Sequence, residues 1–288
     1  MSAESATPAA PELRPVPGPT ALGGGRRRFL DLLWVMSSTD FRLSFHGTAL
    51  GYLWSLARPL LIFGVLLAVF TQVFRFGDEV KDYPALLLLN IMLFTLFAEG
   101  TGKAVVSAVT REGIVRKTQF PRLVIPLSVV LTEVYNFGLN LTAVFIFILA
   151  YGVDPTWTWL LLPVLVAVLV VLTLAVSMLL CALYPRFRDI ALIWTVLSSV
   201  LFYATPILYP IAFALDNTAE LFHTAIQLNP LSPIFEQAQK WIIDPSAPGA
   251  IAATSTPILI ANLVTYVGIC VLAVIVFRRE APRIAEEL

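Results

Sequence analysis

The chain has 288 residues, of which 58% are apolar and 13% are charged, and its mean hydropathy is +0.83. A soluble domain carries about 25% charged residues, so this composition excludes an ordinary soluble protein and predicts several segments in lipid. Lys plus Arg equals Asp plus Glu at 19 each, a balance that by itself identifies no partner, and we expect no nucleic-acid partner. The two cysteines lie in apolar runs, which argues against a disulfide framework.

The first 25 residues are rich in Pro, Ala and Gly, and this composition predicts a disordered cytoplasmic tail. In the next segment, 26–49, three arginines are followed by apolar residues that recur every three or four positions from Phe29 to Met36. This pattern predicts an amphipathic helix lying in the cytoplasmic membrane interface. An ordinary solvated helix is the alternative.

Six apolar runs then predict an all-α integral membrane protein with six transmembrane helices. The first run, 50–74, contains one charge, Arg58, and would extend about 37 Å as a helix, against about 30 Å for the hydrocarbon layer. We take this run as the helix around which the others are organised. Between the last two spans, residues 210–256 contain two shorter apolar stretches that predict two short re-entrant helices at the outer leaflet. The predicted spans are residues 52–74, 84–102, 124–151, 157–184, 190–209 and 257–277.

The distribution of positive charge predicts the orientation. In this topology, 16 of the 19 Lys and Arg residues fall on the side that holds both termini and the loops 103–122 and 185–189. The positive-inside rule therefore places both termini in the cytoplasm.

No arrangement of catalytic residues is apparent in the sequence. His46 and His223 fall on opposite sides of the membrane in this topology, so they predict no shared metal site. The stretch GTGKAV at 100–105 lacks both the first Gly and the Ser or Thr of a phosphate-binding loop. We therefore expect this chain not to be an enzyme by itself.

Charged residues within the spans are few. Glu99 and Lys103, four residues apart, predict an ion pair on one helix. Glu133 lies about two turns inside the third span, with Asn136 and Asn140 on roughly the same face. This polar cluster is either a proton relay or channel lining, or a structural hydrogen-bond cluster between helices. The second is favoured, because a proton-coupled carrier usually has more than one such carboxylate.

Aromatic residues recur along the first and fifth spans. They predict either lipid contact and core packing, or a surface on which sugar rings stack. The channel-lining candidates are Tyr52, Trp54, Phe63, Phe70, Phe202, Tyr203 and Tyr209.

Five stretches follow one another in a recognisable order. They are LGYLWSLARPLL (50–61), TREGIVRKTQFPRLVIPLS (110–128), YPRFRDI (184–190), FYATPILYP (202–210) and LNPLSPIFEQAQ (228–239). Together they resemble the permease subunit of type-2 ABC exporters, in the branch that exports lipid-linked polysaccharides such as O-antigen, teichoic acid and cell-wall galactan. The resemblance extends over nearly the whole chain after the first 25 residues.

This resemblance implies a homodimer in a bacterial plasma membrane, served by two ABC ATPase subunits. ATP and Mg²⁺ would bind to those partners, and this chain would hold no cofactor and no metal. The helices in 210–256 would gate the outer exit. The interface helix and the loop 103–122, the expected coupling loop, would dock on the ATPases. The ATPase-coupling candidates are Asp40, Arg42, Arg111, Glu112, Arg116, Lys117 and Phe120.

The resemblance also implies a substrate, a polysaccharide carried on a polyprenyl diphosphate. Arg58, near the start of the first span, would attract the diphosphate, with anchoring at the membrane interface as the alternative. The arginine-rich, lysine-poor composition suggests galactan as one polymer. Three alternatives stay open: a type-2 ABC exporter of a drug or small lipid, a secondary carrier, and an intramembrane glycosyltransferase.

Overall fold

The computed structural model describes residues 25–45, 51–73, 80–113, 121–210, 226–281 and 283. The predicted tail therefore lies outside the described residues, apart from Gly25. Within these ranges the chain forms helices joined by short turns, and no strand is present. The α-helices are α1 (Gly25–Phe45), α2 (Tyr52–Gln72), α3 (Tyr83–Thr110), α4 (Val124–Tyr151), α5 (Leu162–Leu183), α6 (Ile190–Ala204), α7 (Ser232–Ala238), α8 (Ala250–Ala253) and α9 (Thr256–Glu280).

Five helical segments are long and apolar enough to cross a membrane. These are α2, α3, α4, α9 and the segment Trp157–Leu183, in which a 3₁₀ turn leads into α5. The predicted span 190–209 is shorter in the structure, because α6 has 15 residues and is only about 22 Å long. The described residues therefore show an all-helical, multi-pass protein. Within these residues it has five full-length spans and, at the position of the predicted fifth span, the shorter apolar helix α6.

Helix α6 ends early because its next residues are Thr205 and Pro206. The proline ring disfavours the helical conformation of the residue before it, and Thr205 is extended, with φ −95° and ψ 144°. From Thr205 to Pro210 the chain follows an irregular path, and residues 205–208 are buried. The Thr205-Pro206 pair was visible in the sequence, but the predicted span included it because it lies within a long apolar run.

Helix α3 supplies hydrogen bonds to this irregular segment. The side-chain amide of Asn90 donates to the carbonyls of Pro206 at 3.4 Å and Ile207 at 3.2 Å, and the Tyr83 hydroxyl donates to the Leu208 carbonyl at 2.8 Å. An unpaired carbonyl away from water costs several kcal/mol in hydrocarbon, about 2–7 kcal/mol on transfer scales. The irregular backbone is therefore tolerated at this depth because α3 provides its donors.

Helix α3 is the centre of the bundle. It packs against α2, α4, α5 and α6, and its residues 85–94 are all buried. Of its most apolar 18-residue window, 78% is buried, against 11% for α2 and for α9. The organising helix is therefore α3, and our choice of 50–74 was wrong. α3 also continues to Thr110, eight residues beyond the predicted end of the second span, so that the first part of the expected coupling loop is helical.

Close helix packing depends on Gly100 of α3. A Cβ at this position would lie 2.8 Å from the Cγ2 of Thr173 on α5. The Ser177 hydroxyl donates to the Gly100 carbonyl at 3.3 Å, and the indole N–H of Trp194 on α6 donates to the Thr101 hydroxyl at 3.1 Å. Two neighbouring helices thus make their polar contacts with one turn of α3.

We expect Gly100→Ala to lower the free energy of unfolding by about 1–3 kcal/mol, because the added methyl overlaps Thr173 and forces α3 and α5 apart. Gly102→Ala is the matched control. No atom lies within 4 Å of a Cβ there, and alanine favours a helix over glycine by about 0.5–1 kcal/mol. Thermal unfolding in detergent measures both variants. Equal effects would contradict the close approach at Gly100.

Candidate functional site

A cleft of about 360 Å³ opens between α2, α3 and α6. It brings together four residues that the sequence analysis singled out separately, namely Arg58, Glu99, Phe202 and Tyr203. Arg58 lies near the start of α2, and the two aromatic residues lie near the end of α6. The other lining residues are Pro59, Ile62, Ile91, Phe94, Thr95, Ser198 and Ser199.

The local sequence explains how these side chains face one space. Phe94 of α3 packs edge-to-face on Phe202 with ring centroids 5.2 Å apart, and Phe202 packs in the same way on Tyr203. Tyr203 is 64% exposed and closes one side of the cleft. Since α6 ends one residue later, its last turn places both rings beside the residues of α3 that line the cleft.

Four charged residues, alternately positive and negative, run from the cleft into the bundle. We call Arg58, Glu99, Lys103 and Glu133 the charge chain. Arg58 donates to Glu99 Oε1 at 3.1 Å, and Lys103 Nζ lies 3.2 Å from Glu99 Oε2 and 2.9 Å from Glu133 Oε1. The predicted Glu99–Lys103 pair is confirmed. The two pairs that tie α3 to α2 and to α4 were not predicted.

The sequence analysis missed the Lys103–Glu133 pair because it ended the second span too early. In the structure Lys103 lies seven residues before the end of α3 at Thr110, and Glu133 lies nine residues after the start of α4 at Val124. The two residues therefore lie at a similar level of two neighbouring helices. With the span ending at residue 102, Lys103 was placed in a loop and not opposite Glu133.

The two ends of the charge chain differ in burial. The Arg58 side chain is 76% exposed and that of Glu133 only 7%. An exposed ion pair contributes about 0–1 kcal/mol, whereas breaking a buried pair by removing one partner costs about 3–5 kcal/mol. The Arg58–Glu99 contact is therefore easily broken. The Lys103–Glu133 contact, between a half-exposed lysine and a buried carboxylate, costs more to break.

The predicted polar cluster is partly assembled. The Asn136 amide donates to Glu133 Oε2 at 3.2 Å, so that both Glu133 oxygens have partners. Asn140 is buried on the same helix, and its side-chain oxygen has no hydrogen-bond partner among the described residues. The contacts of Glu133 join α3 to α4, which supports the structural interpretation of this residue.

Two of the coupling candidates, Asp40 on α1 and Arg111 just after α3, form an ion pair with each other. Arg111 also donates to the Ser128 hydroxyl at 2.8 Å and to the Ile125 carbonyl at 3.3 Å, both on α4. These contacts fasten the interface helix to α3 and α4. Arg42 lies in the last turn of α1 and Glu112 follows Arg111, whereas Arg116, Lys117 and Phe120 lie outside the described residues.

The remaining aromatic candidates do not line the cleft. Phe63 is 7% exposed and packs edge-to-face on Phe147 at 5.4 Å, and Phe70 packs against Tyr83 at 6.4 Å. These two rings therefore take the packing role that was the alternative to sugar stacking. The three others are placed as follows: Tyr52 against Phe45 at 5.8 Å, Trp54 58% exposed, and Tyr209 donating to the Tyr203 carbonyl at 3.1 Å.

The outer segment, residues 210–256, was predicted to hold gate helices. Its described part, from residue 226 onward, contains α7, continued by the π turn Gln239–Ile243, and α8. The Asn229 amide donates to the Thr205 hydroxyl at 2.8 Å, and the Trp159 indole donates to the Ile242 carbonyl at 3.0 Å. The segment is thus fastened to the end of α6 and to the start of the fourth span. The other predicted short helix lies mostly outside the described residues.

Glu236 of α7 is a buried carboxyl that sequence reasoning missed. It is 3% exposed, and neither oxygen has a hydrogen-bond partner among the described residues. Burial raises the pKa of Glu236 to about 8, against the opposite effect of the nearby Thr254 hydroxyl. Charged residues nearby on the chain are Lys240, which lies against Gly249, and Asp244, which lies 3.8 Å from Lys81.

A family profile described as "ABC-2 type transporter" matches residues 31–243. The chain belongs to the ABC-2 type transporter family. The match runs from α1 to the π turn, so it includes the cleft, the charge chain and Glu236 and stops before α9. The role of this chain is transport and not catalysis.

Individual relatives of this ABC-2 protein are similar over most of their length. An "O-antigen export system permease protein RfbA" from Myxococcus xanthus is 30% identical over 223 residues, which are 77% of this chain and 84% of the relative. A protein of the same name from Klebsiella pneumoniae is 32% identical over 203 residues, which are 70% of this chain and 76% of the relative.

We expect Lys103→Met to lower the free energy of unfolding by about 1–3 kcal/mol, because the buried Glu133 carboxylate loses a half-exposed cation and keeps only the Asn136 amide as a partner. The double variant, in which Glu133→Gln is added to Lys103→Met, should recover most of the lost free energy of unfolding, since the buried charge is removed together with its partner. Arg58→Met is the control for an exposed pair and should cost at most about 1 kcal/mol. Chemical unfolding in detergent gives all three values. A double variant as unstable as Lys103→Met would contradict this coupling.

Glu236 predicts a pH dependence of stability. In the folded protein the Glu236 carboxyl keeps its proton up to about pH 8. In the unfolded chain the same carboxyl releases its proton near its ordinary pKa of 4.5. Unfolding is therefore favoured increasingly as pH rises from about 4.5 to 8, and the effect is constant above that range. Glu236→Gln should remove this decline, so its unfolding temperature should exceed that of the unmodified protein by more at pH 8 than at pH 5.

The control for Glu236 is Asp154→Asn, which makes the same charge change at an exposed position of the loop before the fourth span. Its unfolding temperature should follow that of the unmodified protein at every pH. Parallel curves for Glu236→Gln and the unmodified protein would mean that this carboxyl is ionised in the folded state.

Proposed function

We propose that this ABC-2 permease is the membrane subunit of an exporter that carries a polyprenyl-diphosphate-linked polysaccharide outward. It acts as a homodimer in the bacterial plasma membrane with both termini in the cytoplasm, and two partner ABC ATPases supply the energy. The O-antigen export relatives support the polysaccharide, because the alignment covers at least three quarters of their length. Galactan and O-antigen are both compatible with the site.

The observation that carries this proposal is the chemistry of the cleft. Arg58 offers a planar guanidinium that pairs with phosphate oxygens, and Phe202 and Tyr203 offer ring faces on which a sugar can lie. The Thr95 and Ser199 hydroxyls donate to backbone carbonyls at 2.7 and 3.0 Å, which leaves their oxygens free to accept from sugar hydroxyls. Cation, rings and hydroxyls together suit the junction between a diphosphate and its first sugar.

Coupling to the ATPases follows from the contacts of α1. The Asp40–Arg111 pair and the hydrogen bond from Thr132 to the Ser37 carbonyl, 3.2 Å long, hold α1 against α3 and α4. A partner that moves α1 would therefore move the ends of both helices. Arg42, Glu112 and the segment containing Arg116, Lys117 and Phe120 are the surface on which we expect the partner to dock.

The test begins with the tagged protein purified in mild detergent together with the ATPase that copurifies. After reconstitution, the ATPase rate should rise on addition of a farnesyl-diphosphate-linked oligosaccharide. Arg58→Ala should reduce this stimulation about 10-fold, the effect of roughly one charge-assisted contact. Arg278→Ala, which removes an exposed cation at the end of α9, is the control and should keep it.

Three outcomes would overturn the proposal. One is a well-folded preparation without an ATPase, and a second is stimulation by amphipathic drugs but not by the glycolipid. The third is an Arg58→Ala variant that responds to the glycolipid as the unmodified protein does, since Arg58 would then only anchor the helix.

A further inference from the structure

We infer that Glu99 is the internal competitor of the substrate for Arg58 and thereby lowers the affinity of the cleft for a diphosphate, so that the substrate can be released. Glu99 pairs with Arg58, and an arriving diphosphate replaces Glu99. This inference rests on the proposed function of the cleft, because it takes Arg58 as the group that receives the phosphate.

The two oxygens of Glu99 have different partners. Oε1 accepts from Arg58 at 3.1 Å, and Oε2 lies 3.2 Å from Lys103 on the next turn of the same helix. When Arg58 leaves, Glu99 therefore keeps one cation. A carboxylate with a remaining partner can release the other partner without becoming an isolated charge.

Lys103 stays in place because its second partner is buried. It lies 2.9 Å from Glu133, whose side chain is 7% exposed and whose other oxygen accepts from Asn136. The charge chain thus has a fixed inner part, which consists of Glu99, Lys103 and Glu133. Arg58 is its movable outer member, with 76% of its side chain exposed.

The geometry of the Arg58–Glu99 contact explains why a diphosphate can win. One guanidinium nitrogen, Nη1, meets one carboxylate oxygen. A guanidinium binds most strongly when two of its N–H groups meet two oxygens of one anion, which a phosphate group can provide. A diphosphate also carries more than one negative charge, so it attracts Arg58 more strongly than a single carboxylate oxygen does.

The same contact acts on other ligands in a predictable way. A neutral lipid gains nothing from Arg58 and leaves the pair closed. A monophosphate, like a diphosphate, must displace Glu99 from Arg58, and the Glu99 carboxylate, which lines the same cleft, repels both anions. Glu99 thus sets how firmly the cleft holds an anion, because it makes every anion compete for Arg58.

The experiment measures binding of farnesyl diphosphate, farnesyl monophosphate and farnesol to the purified protein in lipid nanodiscs. Glu99→Gln should bind farnesyl diphosphate about 3–10-fold more tightly, as expected for loss of one partly exposed competing charge. Its affinity for the monophosphate should rise by a similar factor, because both anions compete with Glu99 for the same guanidinium. Farnesol binding should not change.

Two further variants complete the design. Glu99→Asp keeps the charge near Lys103 but shortens the reach to Arg58, so it should change affinity in the same direction and by less. Asp154→Asn removes an exposed acidic charge elsewhere and should change nothing. An unfolding curve for each variant ensures that folded proteins are compared.

The outcomes separate this inference from the function on which it rests. If Arg58→Ala abolishes binding of farnesyl diphosphate but Glu99→Gln and Glu99→Asp bind as the unmodified protein does, then Glu99 does not compete and this inference fails alone. If Arg58→Ala also binds normally, the diphosphate does not occupy the cleft, and the proposed function of the cleft fails with it. Weaker binding by Glu99→Gln would make Glu99 a positioning residue and would equally overturn competition.

Discussion

The backbone of residues 205–210 sets the main constraint on this structure. Where a helix stops inside lipid, its carbonyls lose their helical partners and must find donors within the protein. Here the donors are Asn90 and Tyr83 of α3. This requirement fixes the level of α3 relative to the end of α6, since three carbonyls must meet two side chains that lie two turns apart.

Other features follow from the central position of α3. A helix that must reach α2, α4, α5 and α6 at once is apolar on every side, as the run ALLLLNIMLF at 85–94 is. It must also approach a neighbour closely, which Gly100 allows beside Thr173. Because α6 ends at Ala204, its last aromatic residues lie beside α3 and complete the cleft with Arg58 of α2.

Much of the fold was predictable, because apolar length is a strong signal for a spanning helix. Val124–Tyr151 has the predicted bounds for this reason. The end of α6 was missed because the apolar run outlasts the helix, although Thr205-Pro206 marks the break. The contacts within the site were harder to predict from the sequence. The Glu99–Lys103 pair depends on helical spacing alone, whereas Arg58–Glu99 and Asp40–Arg111 depend on how separate helices pack, which spacing does not encode.

The charge chain is exposed at Arg58 and buried at Glu133. This difference explains how one subunit can have a rigid core and a helix that responds to a bound anion. α3, α4 and α5 pack closely through a large shared core, and the pair between half-exposed Lys103 and buried Glu133 adds to it. α2 is largely unburied and meets this core through the rings of Phe63 and Phe70 and, at Arg58, through an exposed ion pair. A bound anion that takes Arg58 away therefore removes one contact of α2 without disturbing the core. Because binding energies are reciprocal, a movement of α2 that opens this pair must in turn raise the affinity of the cleft for the anion.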